Sequence, residues 1–335
     1  MRFSSPSFKA TRWPSGAARF AGWLVAVLLG CSAVLAQDVP SPGSGFQEEV
    51  SVGYVLVPIV ARQANGAYAT DLKPEDFRLL VNGQVVDFES FEQGDRAPVS
   101  VMFLQDLSGS MANSNKIVLS RTVLDRLILG HRPGDNWGLT SFSSGNVAVD
   151  VPFTDDVELL RLSADAWRPY GTTALHDAVA WLPDLTAHVN SARRAAIVIT
   201  DGVDNASQIE PYTAREKVRQ AELPVYVLGL STGDIESLDR DGEKIYRYAD
   251  VLNLLSHLTG GQYFPVVSQS DALLACNKIV SEIRNQYVIG FPTSALGTST
   301  YHEIVVQPRT RKKLKLTFRQ GYTGTLPKAL VPSGQ

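Results

Sequence analysis

Three short polar clusters in this 335-residue chain carry side chains suited to holding a hard cation. The first is Asp106-Leu-Ser108-Gly-Ser110, the second Gly171-Thr172-Thr173, and the third Thr200-Asp201-Gly202. As candidate donors they offer two carboxylates and three or four of their five hydroxyls, and no side-chain nitrogen or sulfur. Oxygen donors with little formal charge, completed by water, suit Mg²⁺, Mn²⁺ or Ca²⁺ rather than zinc or copper. With only two anionic ligands, such a cation keeps its electrophilic character and an open position that an external carboxylate can fill. A single Asp-x-Ser-x-Ser is unspecific, because Ser and Asp also cap helices and make turns. The three clusters together, each at a strand end or a helix start, make the metal reading specific.

The elements that must position these clusters follow an alternating rhythm. A strand is predicted at Val99–Leu104, and residues 115–129 carry Ile117, Leu124, Leu127 and Ile128 at helical spacing. Further strands are predicted at 137–142, 195–200 and 224–230, separated by helices at about 155–166, 174–189 and 212–221. A last helix, about 270–286, carries Ala272, Cys276, Ile279 and Ile283 on one stripe. Apolar strands alternating with helices imply a doubly wound α/β fold, with a mainly parallel sheet covered on both faces. Such sheets bind ligands beyond the carboxyl ends of their strands, where the polar clusters fall.

Residues 97–286 form this unit, and β segments bracket it. In 50–96, Val52–Val60 is an apolar run whose Pro58 points to an edge position or a bulge. Phe77, Leu79 and Val81 alternate there, Asn82-Gly83 supplies a hairpin turn, and Val86 and Phe88 resume the alternation. In 287–323, Tyr287, Ile289 and Phe291 alternate, then Ile304 and Val306, then Leu314, Leu316 and Phe318. Neither bracket holds enough apolar surface to fold alone, so the two are expected to combine into one small antiparallel β domain. Residues 324–335 read as a tail.

The start of the chain reads as an address. Residues 1–36 hold four basic residues (Arg2, Lys9, Arg12, Arg19), no acid, and an apolar run from Phe20 to Ala36. A basic and then apolar order ending in small residues is the layout of a secretory signal peptide, with cleavage after Ala36. Leu28-Leu29-Gly30-Cys31 resembles a lipobox and offers a lipoprotein anchored at Cys31 as the alternative. Residues 37–49 are a linker opening on a Pro/Gly/Ser-rich stretch. The protein is thus expected in the periplasm or outside the cell, with no transmembrane span in the mature chain. The net charge of −3 excludes a polybasic nucleic-acid footprint. Five scattered His and two Cys exclude a zinc finger or a disulfide scaffold.

At the polar clusters the sequence resembles the metal-ion-dependent adhesion site of von Willebrand factor A (vWA) domains. Asp106, Ser108 and Ser110 match the first loop of that family and Asp201 the third, followed by Gly202. Gly171-Thr172-Thr173-Ala-Leu-His-Asp-Ala is similar to the family's Gly-Gly-Thr-Ala-Leu-Tyr-Asp-Ala, which makes Thr173 the ligand threonine and Thr172 the alternative. Asp71–Phe77, Val81–Gln84, Ser256–Phe264, Ile283–Gly290 and Arg319–Tyr322 resemble the exported A-domain-related proteins of acidobacteria. The resemblance implies a vWA fold and a divalent cation, most simply Mg²⁺. It carries no established activity with it.

The remaining features read plainly. Asp239–Gly242 is a polar turn lacking the later ligands of a calcium loop, and Arg309–Lys315 is a solvated basic face. His176 is expected on a helix surface, and Cys276 is a core thiol. Two function classes remain, with a scaffold behind them. One is a noncatalytic module that captures an Asp or Glu of a protein partner through its metal, and the other is a metal-dependent hydrolase. No Gly-x-Ser-x-Gly elbow or motif-placed base supports the hydrolase. A metal-free envelope scaffold is the third reading.

Overall fold

This computed structural model describes residues 53–93, 97–187, 189, 191–230, 236–238, 244–294, 300–309 and 313–325. The expected signal peptide and linker, the Asp239–Gly242 turn, residues 310–312 of the basic face and residues 326–335 of the tail lie outside the described residues. Alternating apolar residues build the first strands, β1 (Tyr54–Gln63), β2 (Phe77–Val81), β3 (Gln84–Val86) and β4 (Ser90–Glu92). Asn82 and Gly83 join β2 to β3 with φ of 50° and 78°, the left-handed backbone that a two-residue hairpin loop needs.

β5 (Ser100–Asp106) is buried at every residue, as an apolar strand is when helices cover both faces. It is followed by α1 (Lys116–Ile128), β6 (Asn136–Ser143), β7 (Asn146–Thr154) and α2 (Val157–Asp165). Next come α3 (Leu175–Ala180), α4 (Leu182–Thr186), β8 (Arg194–Thr200), α5 (Pro211–Arg219) and β9 (Val225–Leu230). The short pair β10 (Glu236–Leu238) and β11 (Lys244–Arg247) leads into α6 (Tyr248–Leu258), β12 (Tyr263–Val266) and α7 (Gln269–Arg284). Ser268 starts α7, its hydroxyl accepting from the Asp271 N–H at 3.2 Å. The last strands are β13 (Gln286–Pro292), β14 (Thr300–Pro308), β15 (Leu314–Phe318) and β16 (Gly321–Gly324).

The central sheet has the order β12-β9-β8-β5-β6-β7, parallel throughout except for the β6–β7 hairpin. α1, α2 and α7 cover one face through Val123, Leu127, Leu160 and Ile279 against Phe103, Ile197 and Leu228. α3, α5 and α6 cover the other through Val179, Val218 and Leu252 against Leu104 and Val198. From β5 the chain runs to β6 and β7 on one side and then returns to β8 on the other. A reversal of this kind marks the carboxyl ends of the strands as the place for a ligand site.

The bracketing segments interleave. β1 lies between β13 and β15 in a sheet ordered β15-β1-β13-β4, and β2 pairs with β14 in a second ordered β16-β14-β2-β3. Val57, Ile59, Leu79, Ile289, Phe291 and Ile304 from both sheets share one core. Arg62 ties this β layer to α7 through Glu282 at 2.5 Å, and Arg319 donates to the Arg219 carbonyl at the end of α5 at 3.0 Å.

Two local expectations change, and some elements carried no expectation. β1 is interior, not an edge, despite Pro58. The Gly290 carbonyl accepts from Glu89, so Leu56–Gly290 and Pro58–Val288 are the non-hydrogen-bonded pairs of the β1–β13 ladder. The missing donor of Pro58 therefore faces β15, whose pairing begins only at Ile59. The helix expected at 174–189 splits at Trp181, because Pro183 cannot donate within a continuous helix. β7 was not anticipated; Ser144 and Gly145, with φ of 51° and 77°, turn the chain back into it. α6 and β12 also went unread in the sequence.

Candidate metal centre

Asp106 ends β5 and Thr200 ends β8, two neighbouring parallel strands, so their side chains meet at the carboxyl end of the sheet. Thr200 Oγ1 donates to Asp106 Oδ2 at 2.6 Å, and the Ser108 N–H donates to Oδ1 at 2.8 Å. Burial pushes the Asp106 carboxyl up to about 6; bonds from Ser108 and Thr200 oppose this, and the charge of Asp201 adds to it. The hydroxyls of Ser108 and Ser110 lie 3.1 Å apart.

Backbone contacts fasten the second loop to the first. The Gly109 N–H donates to the Gly171 carbonyl at 2.9 Å, and the Tyr170 N–H to that of Leu107 at 2.8 Å. Gly171 has φ of +69°, and a Cβ there would lie 1.9 Å from Ser144 Oγ. Glycine takes that backbone without strain and leaves room for Ser144.

The two threonines then part. Thr173 is buried; its N–H donates to Asn205 Oδ1 at 2.9 Å, and its carbonyl accepts from Asn205 and Ala206 at 3.0 Å each. Thr172 is exposed and bonded instead to Ser144 of the β6–β7 turn. Thr173 is thus the one tied to the third loop.

In that loop Asp201 is fully buried. Its Oδ2 accepts from Lys116 Nζ at 2.8 Å, while its Oδ1 is buried without any hydrogen-bond partner. The Gly202 N–H donates to Thr200 Oγ1 at 2.9 Å, with φ of +80°. Asp204 then clamps the loop, accepting from the His176 N–H at 2.9 Å and the Ser207 hydroxyl at 2.6 Å. Asp177 accepts the Gln208 and Ile209 N–H groups.

The structure therefore brings Asp106, Ser108, Ser110, Thr173 and Asp201 into three mutually bonded loops. Among the described residues no group of three or more His, Cys, Asp or Glu is placed to hold a metal. A site here would depend on hydroxyls, two carboxylates and water, a donor set that fits a hard divalent cation. The orphaned Asp201 Oδ1 is the structural sign of that fit, since a buried carboxylate oxygen seldom lacks a partner.

Sequence reasoning missed Lys116, Asn205 and Asp204. The available signal was Lys116 itself, a cation at the first residue of a helix, where the macrodipole disfavours it. His176 needs correction, because it is buried, with Nδ1 at 3.4 Å from Asp204 Oδ2. The Asp204 loop covers the start of α3, a tertiary event that local periodicity does not report. Burial holds the His176 pKa below its ordinary value, against the nearby carboxylates. Cys276 is the core thiol expected, pushed up by burial to about 12. A separate apolar cavity of 820 Å³ lies between Met102, Phe153 and Trp181, at the opposite ends of the strands.

A mainly parallel sheet, helices on both faces and three polar loops gathered at the strand ends define a von Willebrand factor type A fold. Residues 101–203, from β5 through the third loop, match the family model of the von Willebrand factor type A domain. No curated protein matches the sequence. Among solved structures, an aerotolerance-related membrane protein of Bacteroides fragilis, bearing multiple mutations to serine, is 21% identical with a TM-score of 0.44, covering 55% of this chain and 99% of its own. A von Willebrand factor type A protein of Catenulispora acidiphila is 12% identical, with a TM-score of 0.45 and coverage of 84% and 76%. The pilus adhesin SpaC of Lactobacillus rhamnosus GG is 12% identical, with a TM-score of 0.44 and coverage of 80% and 47%. These similarities are distant in sequence and in geometry.

Proposed function

We propose that this chain is an exported, noncatalytic binding protein whose vWA domain captures an Asp or Glu of a protein partner through a divalent cation. Asp106, Ser108, Ser110, Thr173 and Asp201 would hold the ion directly or through water, with Mg²⁺ the simplest choice and Mn²⁺ or Ca²⁺ suited to the same donors. The observation that carries this reading is the buried, unpartnered Oδ1 of Asp201 beside a buried Asp106. A cation bound there would supply an electrophile for one external carboxylate. The chain's own residues orient the donors: Thr200 and the Ser108 N–H fix Asp106, and Asn205 fixes the Thr173 backbone.

A hydrolase is less well supported. Among the described residues the hydroxyls of Ser108 and Ser110 are bonded to each other, and no imidazole is bonded to either. A hydroxyl without an adjacent base is a poor nucleophile.

The test is a pull-down of exported proteins on the immobilised chain in Mg²⁺, repeated in EDTA and then with the recovered partner's candidate Asp or Glu changed to Ala. Both changes should abolish the complex. A complex that survives both at full affinity would make the domain a scaffold.

Among the described residues no helix is long and apolar enough to cross a membrane. Export rests on residues 1–36, and N-terminal sequencing of the exported protein should begin at Gln37. A lipid-bearing start at Cys31 would establish the anchored alternative instead.

A further inference from the structure

We infer that Lys116 is a tethered competitor for the candidate metal site, so that loading the site is an exchange of its ammonium for the divalent cation. The inference rests on the metal reading and adds the residue that sets its affinity. Lys116 Nζ lies 2.8 Å from Asp201 Oδ2, and the two side chains are only 14% and 1% exposed. Without an ion, the buried Asp106 and Asp201 would leave uncompensated negative charge, a costly arrangement in a protein interior. The ammonium of Lys116 neutralises half of it.

Two features of the backbone place Lys116 where a helix would not otherwise put it. It is the first residue of α1, where the helix macrodipole disfavours a cation. The two residues before it, Ser114 and Asn115, both hold left-handed backbone, with φ of 52° and 56°. Non-glycine residues rarely adopt this conformation, and such departures cluster at functional sites. Asn115 makes no side-chain cap, and the turn ends with the Lys116 ammonium on Asp201.

A divalent ion bound through Asp201 Oδ1 would share one carboxylate with this ammonium. Two positive charges so close, with little water between them, repel strongly. The ammonium must therefore move or weaken the ion's hold, and either outcome makes affinity depend on it. The metal-free chain is stabilised by the same contact that opposes loading.

Calorimetric titration of MgCl₂ and MnCl₂ into the chelator-stripped full chain tests this with the wild type, Lys116→Met and Lys116→Gln. Both variants should bind at least about tenfold more tightly, or about 1.4 kcal/mol. In EDTA, Lys116→Met should melt below the wild type, and saturating Mg²⁺ should raise its Tm by more than it raises that of the wild type. Lys116→Gln keeps a donor for Asp201, so it reports charge alone if Lys116→Met folds poorly. Equal affinities in all three proteins overturn the inference and leave the metal site standing. Weaker binding in the variants also overturns it, making Lys116 a support for Asp201. No binding in any of them overturns both the inference and the metal reading.

Discussion

Asp106→Asn is expected to weaken divalent-cation binding by at least about 100-fold, roughly 2.7 kcal/mol, while leaving the metal-free protein as stable as the wild type or more so at pH 7. The two effects have one cause. Asp106 is fully buried, with its carboxyl pushed up to about 6, so holding it ionised at neutral pH works against folding in the absence of a cation. The folded state keeps the Asp106 proton to higher pH than the unfolded chain, whose carboxyl titrates near about 4. Its contribution to stability is therefore lost as pH rises from about 4 to about 6, and it is flat above. By this route the metal-free wild type should lose roughly 2–3 kcal/mol over that interval, and Asp106→Asn should not.

Asparagine can still accept from the Ser108 N–H, and the Thr200 hydroxyl can turn to accept from the amide. Urea unfolding in EDTA between pH 4 and 8, with Mg²⁺ calorimetry beside it, measures both effects. A variant that binds Mg²⁺ like the wild type would remove Asp106 from the metal site. One that is several kcal/mol less stable without metal would show the carboxylate to be a structural strut.

The second large effect lies at the other end of the sheet. Arg284→Ala should cost about 3–5 kcal/mol, the usual penalty for stripping one partner from a buried ion pair. Arg284 closes α7, donating through Nη1 to Asp135 Oδ1 at 3.0 Å, through Nη2 to Asp135 Oδ2, and to the Gly130 carbonyl at 2.7 Å. Asp135 is fully buried and also accepts from the Val99 and Arg132 N–H groups at 2.9 and 2.8 Å. Burial alone would raise its carboxyl, but the Arg284 bonds, the two N–H donors and the guanidinium charge outweigh that and hold it below the ordinary range. Here the stability is present above about pH 4 and lost as pH falls through the folded-state value. The difference between wild type and Arg284→Ala should thus be largest at neutral pH and narrow in acid. Paired denaturant curves at pH 7 and pH 3 check this. A loss below about 1 kcal/mol at pH 7 would mean that the pair is hydrated and worth no more than a surface bridge.

The contrast between these sites explains what could be read in the sequence. The polar clusters were legible because Asp106 ends one buried apolar strand and Thr200 ends another, and a parallel sheet leaves such residues at its open end. Periodicity also placed α1, α2, α5, α7, β5, β6, β8 and β9 within a few residues, since each buries one stripe or an entire strand. β7 escaped because it is an edge: Val149 is 52% exposed, and the alternation that marks a half-buried strand is broken.

The sequence by itself determined the oxygen-rich make-up of the three polar clusters, the alternation of strands and helices, and the turn built on Asn82-Gly83, because all three depend on residues near one another in the chain. Tertiary structure alone decided which threonine joins the third loop, that His176 is buried beneath Asp204, and that Arg284 finds Asp135. It also decided that Lys116 neutralises Asp201 across 85 positions of sequence. Those outcomes depend on charge and burial between groups that only the folded sheet brings together. An ammonium at a helix start reads as a surface lysine until a buried carboxylate with one unpaired oxygen is found beside it.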